Sequence, residues 1–369
     1  MRIILGIISF TVLILFFACS EDGDPIDMMP NDSLFDRQAL LTHWADELII
    51  PSFETYQNSL QVLSGSFSTF SDAPTTNSLS NLRTSWLNAY KAWQHVSIYD
   101  IGKAEELGYR NFTNIYPTDI ESINSNISSQ NYNLELPSNF DAQGFPALDY
   151  LLFADGLSDD EIVDLLSSTN HNTYVNDLIV RLNELTDEVV NDWKDGYRDA
   201  FVNSSGSSAT ASTDKIVNDF LFYYEKFLRA GKIGIPAGVF SGNVISSAVE
   251  APYSGTYSKD LYFEGFRAVE NFFLGTSHEG SNGVGLDDYL EHIRAQTNST
   301  DIKGAILSQW SLAKDKARSL DSNFKIQVET DNNLMLQVYD EMQKAVVLLK
   351  VDMLQALDIK VDFVDADGD

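Results

Sequence analysis

Two carboxylates occupy the same place in a repeated decapeptide. Gly144-Phe145-Pro146-Ala147-Leu148-Asp149-Tyr150-Leu151-Leu152-Phe153 and Gly265-Phe266-Arg267-Ala268-Val269-Glu270-Asn271-Phe272-Phe273-Leu274 both read Gly-Phe-x-Ala-aliphatic-acidic-x, then three apolar residues. Pro146 lacks an N–H and is tolerated in a first helical turn, so the first copy should open a helix. Asp149 then falls in or just after that turn, where the helix dipole favours a carboxylate by about 0.3–1 kcal/mol. If the copies face each other across a pseudo-twofold axis, Asp149 and Glu270 approach one crevice. Carboxylates 4 Å apart repel by roughly 4 kcal/mol at an effective dielectric near 20, and a shared proton or a bound cation relieves this. Asp149 and Glu270 are therefore the candidate metal ligands, with Phe145 and Pro146 shaping the wall.

Other catalytic constellations are sparse. The five histidines are His43, His95, His171, His278 and His292, and none sits in the His-Glu-x-x-His pattern that a zinc peptidase needs for its ligands and general base. His43 with Asp46 and Glu47 has i, i+3 and i, i+4 spacing, but an ordinary surface or core histidine is the simpler reading. No serine nucleophile elbow, phosphate-binding glycine loop or Cys-His pair stands out. Asp362, Asp365, Asp367 and Asp369 resemble the start of a calcium loop without its remaining ligands, and read as a solvated terminus.

The elements that must hold these residues are helices, because three- and four-residue apolar spacing dominates and no alternating strands with hairpin turns are visible. Ser33 can cap a helix carrying Leu34, Leu40, Leu41, Trp44 and Leu48, bent or broken by Pro51 before Tyr56, Leu60, Leu63 and Phe67. Leu79, Leu82, Trp86, Tyr90, Trp93 and Val96 form the next stripe. Residues 102–143 read as a long excursion with one short helix near 119–128, and Tyr116-Pro117 within it could wall a crevice. Helices follow at 145–153, from Ser158 with a capping box to Glu161, at 173–201, 214–230, 258–274, 285–296, 300–321 and 332–358. Ser204 to Ser212 reads as a linker, so the expected order is an N-terminal bundle at 34–203, a linker at 204–212 and a C-terminal bundle at 213–369.

The beginning of the chain has a different character. Arg2, the uncharged run Ile3 to Ala18 and then Cys19 match a signal peptide over residues 1–18, too short for a comfortable bilayer span of about 20 residues. Phe16-Phe17-Ala18-Cys19 resembles a lipobox, which makes Cys19, the single cysteine, the expected lipidation site and membrane anchor. Once lipidated it leaves no thiol for disulfides, so packing alone must stabilise the fold. Residues 19–33, with Glu21, Asp22, Asp24, Pro25, Asp27 and Pro30, have the composition of an acidic tether.

With 369 residues, 44% apolar and 12% aromatic, the chain can bury a large core. Its 24 Lys and Arg against 54 Asp and Glu leave a net charge of −30, which excludes nucleic acid as a partner. Such a surface resists aggregation and attracts cations without naming a ligand.

The decapeptide at Gly144–Phe153 resembles the signature of the imelysin family, Gly-x-His-x-x-Glu followed by apolar residues. Trp86-Leu87-Asn88-Ala89-Tyr90-Lys91-Ala92-Trp93, Pro236-Ala237-Gly238-Val239-Phe240-Ser241-Gly242, Tyr253-Ser254-Gly255 and Leu349-Lys350-Val351-Asp352-Met353-Leu354-Gln355-Ala356-Leu357 agree with it. The resemblance covers roughly residues 36–369. It implies an all-α fold of two helical bundles related by duplication, with the signature segment at their interface. It also implies an envelope protein linked to iron acquisition, in a family grouped with metallopeptidases. Here Pro146 stands at the histidine position and Asp149 at the glutamate position, so the family's metal site does not carry over residue by residue. The expectation is an outer-membrane lipoprotein, periplasmic or surface-exposed, binding iron, another cation or a small molecule at a crevice of Phe145, Pro146, Asp149, Glu270 and Tyr116. An outer-membrane transport partner would complete that role. The alternatives are a metal-dependent peptidase, marked by proteolysis that chelation abolishes, and a non-catalytic interaction scaffold indifferent to Asp149→Ala.

Overall fold

The computed structural model describes residues 35–277 and 279–363. The segments expected to form a signal peptide and a tether, with Cys19, His278, Asp365, Asp367 and Asp369, lie outside them. Among the described residues there is no strand, only an isolated bridge between Thr276 and Asn282, and the fold is all-α as expected.

The helices run, in order, α1 (Arg37–His43), α2 (Ile50–Asp72), α3 (Thr76–Val96), α4 (Lys103–Leu107), α5 (Tyr109–Thr113), α6 (Ile120–Ser129), α7 (Gly144–Phe153), α8 (Asp159–Ser167) and α9 (Thr169–Asp192). After them come α10 (Arg198–Asn203), α11 (Ser212–Phe222), α12 (Ser258–Phe273), α13 (Leu286–Thr297), α14 (Ile302–Arg318), α15 (Phe324–Thr330), α16 (Asn332–Val347) and α17 (Leu354–Leu357). Several stripes that read as continuous α-helix are interrupted by π-helical segments at Trp44–Ile49, Trp193–Tyr197, Tyr223–Gly234 and Leu348–Met353. An inserted residue keeps the apolar spacing almost unchanged, so periodicity does not reveal such wide turns. Pro51 does not end the helical run: it sits in the first turn of α2, directly after the π segment Trp44–Ile49, a wide turn of the kind that accommodates a residue with no N–H to donate.

In the first half, α2 packs on α3 and α9, while α7 lies against α3 and α9. In the second, α16 packs on α14 and on the π segment that continues α11. Helices α3 and α12 meet along the seam between the halves. All five tryptophans, Trp44, Trp86, Trp93, Trp193 and Trp310, are buried, so the Trp86–Trp93 stripe belongs to the core. The described residues from Asp36 onward form one compact body. The Ser204–Ser212 segment is a loop closed on itself, with Ser212 N donating to Ser204 O at 3.0 Å.

The excursion at 102–143 holds more structure than the sequence shows. Besides α6, capped by Asp119 as its position suggests, it contains α4, α5 and a 3-10 turn at Pro137–Ala142. Helices of five residues carry too little periodicity to be recognised and are held by their neighbours. The capping box of Ser158 and Glu161 is present, with Ser158 N bonded to the Glu161 carboxylate at 2.8 Å.

Candidate functional site

Helix α7 begins at Gly144, whose φ of +72° suits only glycine. A Cβ there would lie 2.1 Å from Thr113 O, so this glycine also lets α7 press onto the end of α5. Gly265, its counterpart, lies inside α12, where a Cβ would stand 2.9 Å from Tyr223 Oη and 3.3 Å from Lys232 Cε. Each glycine in the repeat thus permits a close approach, but one opens a helix and the other lies within one.

Phe145 is fully buried and stacked on Tyr90, rings 4.5 Å apart and 5° from parallel. Pro146 is buried in the first turn of α7 and offers no donor atom. Asp149 is 0% exposed, and its carboxylate accepts two backbone N–H groups, Tyr253 N at 2.9 Å and Ser254 N at 3.0 Å. Burial pushes its pKa up to about 7, against the opposing pull of those hydrogen bonds. Asp149 lies past the first turn of α7, so its role is not to complement the dipole: it clamps the 249–257 loop onto the helix.

Glu270 goes elsewhere. It pairs with Lys314 of α14 and is partly exposed. The two carboxylates therefore take separate partners, and the repulsion that called for a shared cation is absent. Neither does His43 join Asp46: His43 Nε2 meets Gly275 O at 2.7 Å, while Asp46 pairs with Arg198 at 2.6 Å. Among the described residues no group of three or more His, Cys, Asp or Glu side chains could hold a metal. With a proline at the histidine position and both Asp149 oxygens occupied by backbone donors, the signature helix does not fit a metal centre.

What converges at the seam is a buried polar network that the sequence pattern does not single out. Lys232, in the π segment Tyr223–Gly234, forms an ion pair with Glu250; their side chains are 4% and 2% exposed. Gln94 of α3 closes the pair, accepting from Lys232 Nζ at 2.9 Å and donating to Glu250 Oε1 at 3.2 Å. Asn114 Nδ2 donates to the same Glu250 oxygen at 2.9 Å, and Asn114 Oδ1 accepts from Tyr90 Oη at 2.6 Å. Burial pushes the Lys232 ammonium below its usual range, and Glu250 opposes that shift.

Beside the network lies a cavity of about 20 Å³, lined in part by Trp93, Tyr116, Tyr223, Phe227 and Lys232, with room for one water. Tyr116 is part of this lining, and neither Asp149 nor Glu270 is. The Tyr223 hydroxyl is buried and makes no hydrogen bond of normal geometry. Arg110, also at the cavity, is held by Asp219 through contacts of 2.8 and 2.9 Å.

The signature helix supports this network from behind. Phe145 stacks on the Tyr90 ring that reaches Asn114, and Asp149 clamps the loop that carries Glu250. Periodicity passes over Lys232 and Glu250, yet a signal exists: each is a lone charge in an apolar or glycine-rich stretch, Ala230-Gly231-Lys232-Ile233-Gly234 and Ala248-Val249-Glu250-Ala251-Pro252.

The sequence profile of the imelysin family, peptidase M75, matches residues 49–347. Solved structures share the fold, two of them as follows. One, from Parabacteroides distasonis ATCC 8503, is described as an iron-regulated protein A precursor; it is 16% identical, with a TM-score of 0.69 over 86% of this chain and 94% of its own. The other, an imelysin-like protein from Psychrobacter arcticum 273-4, is 17% identical, with a TM-score of 0.68 over 89% of this chain and 97% of its own. No curated protein matches the sequence. Because the family profile spans most of the chain, residues 49–347, this protein belongs to the imelysin family.

Proposed function

We propose that this imelysin is a non-catalytic binding component of the cell envelope, linked to iron or another nutrient and lipid-anchored through Cys19. Its ligand would enter the seam between α3 and α12. The observation that carries this reading is the cavity itself: a buried Tyr223 hydroxyl that makes no hydrogen bond of normal geometry, next to an ion pair whose other hydrogen bonds are made. An unpartnered buried donor costs about 1–3 kcal/mol, which a hydrogen-bonding ligand or a water recovers. The residues lining the cavity include no carboxylate, histidine or thiol to ligate a bare metal ion, so a small molecule or an iron chelate fits better. In the described conformation the cavity has room for a water, and anything larger opens the seam.

Relatedness to a protein described as iron-regulated supports the nutrient link. The peptidase reading loses support from the donor set, since the signature helix offers one carboxylate, Asp149, whose two oxygens both accept from backbone N–H groups, and no histidine beside it. Equilibrium dialysis of the full chain against ferric citrate, beside its Tyr223→Phe variant, tests the proposal. Saturable iron retention, weakened at least tenfold in the variant, is expected. No retention by the wild-type protein, or equal retention by both, overturns it.

A further inference from the structure

A second, open cleft lies on the outer side of α7, away from the seam cavity. It is walled by the end of α7, the loop that Asp149 clamps and the start of α15, and encloses about 580 Å³, within the 300–1,000 Å³ range of small-molecule sites. Two tyrosines face it. Tyr150 directly follows Asp149 in α7, and Tyr253 donates the backbone N–H that Asp149 accepts. Their rings stand edge to face, 5.2 Å apart, and neither hydroxyl makes a hydrogen bond among the described residues. Ser246 and Ser247 add hydroxyls at the far wall. Asp155 and Lys325 pair across the rim at 3.3 Å, their side chains 64% and 34% exposed.

We propose that this cleft is a carbohydrate site that takes a neutral pyranose ring against Tyr150 and Tyr253, with Asp155 and Lys325 bonding its hydroxyls. Charge selects that class. One acid and one base leave the rim neutral. An anionic ligand would have to approach a protein of net charge −30, and a bare cation would find at the rim a single carboxylate, Asp155, already paired with Lys325. An apolar ligand would strip water from the ion pair and the serines without replacing their hydrogen bonds. A sugar ring satisfies both kinds of surface: its C–H face covers the aromatic rings, while its hydroxyls accept from an ammonium and donate to a carboxylate. Asp149 is a positioning residue here, because it fixes the backbone of one tyrosine against the helix that carries the other.

The test is saturation-transfer NMR of the full chain with cellotetraose, maltotetraose and chitotetraose. Saturable transfer from at least one of them, with millimolar affinity, is expected. Tyr150→Ala and Tyr253→Ala should each weaken it at least tenfold, with the helical circular dichroism unchanged. Lys325→Ala changes only the rim, keeps the packing of α7 intact and should weaken binding several-fold, so the proposal stays testable should a tyrosine variant misfold. Absence of saturable transfer from all three sugars, or undiminished binding in folded variants, overturns the proposal.

Discussion

The carboxylate of Asp149 and the backbone N–H of Ser254 meet at 3.0 Å, although 105 positions separate them. With the matching bond to Tyr253 N, this contact joins the signature helix to the loop that delivers Glu250 to the seam. Because the carboxylate is fully buried, its pKa is pushed up to about 7 from an ordinary 3.8. A raised acid binds its proton in the folded state where the unfolded chain has lost it. Its contribution to stability is therefore fully present below about pH 4 and is lost as pH rises through 7. The difference is on the order of 4 kcal/mol. Urea unfolding of the wild-type protein and of Asp149→Asn between pH 4 and 8 should show a steeper fall in the wild type. Parallel pH profiles would refute the assignment. Asp219, also raised by burial, gives a slope of the same sign that cancels in the comparison.

Lys232 and Glu250 form a buried pair, so removing one partner strands the other. Lys232→Met should destabilise by about 3–5 kcal/mol, and Lys232→Met with Glu250→Leu should recover most of that loss. A double-mutant cycle by chemical denaturation measures the coupling. Additive losses would mean that the ion pair contributes nothing beyond its packing.

Gly144 and Gly156 both have positive φ, +72° and +83°, but only Gly144 is crowded. Gly156→Ala should cost about 1–2 kcal/mol, the strain of a left-handed alanine. Gly144→Ala adds a clash with Thr113 O and should exceed about 4 kcal/mol, an exceptional loss for a single substitution. Similar denaturation midpoints for the two variants would show that α7 can move away from α5.

Tyr90 serves the seam through its hydroxyl and the core through its ring. Tyr90→Phe keeps the stack on Phe145 and gives up the bond to Asn114, for a loss of about 1 kcal/mol. Phe145→Ala should cost about 3–5 kcal/mol, as expected for a fully buried aromatic. Thermal or denaturant unfolding of the pair orders the two effects, and a larger loss in Tyr90→Phe would mean that the polar network stabilises this region more than the aromatic stack does.

Much of the fold could be read from local pattern. The Trp86–Trp93 stripe, the Ser158 capping box and the Pro146 helix start each depend on neighbours three or four residues away, where spacing determines the contacts. The π segments escape such a reading because one extra residue in a wide turn barely disturbs that spacing. The short helices of the 102–143 excursion escape it because tertiary packing, not their own sequence, stabilises them.

The candidate site divides along the same line. By itself the sequence determined that Phe145, Pro146 and Asp149 belong to a helix start worth attention, that the repeat includes Glu270, and that the proline disfavours a metal. Only the tertiary structure decided what those residues do. Asp149 and Glu270 match in sequence, yet one is buried against backbone donors and the other is held by Lys314. Gln94, Asn114, Lys232 and Glu250 come from segments scattered over more than 150 positions, and they meet because the two halves pack along α3 and α12. Periodicity describes which face of a helix turns inward, whereas a buried charge is stable only where the fold supplies its partner, and that partner has no fixed distance along the chain.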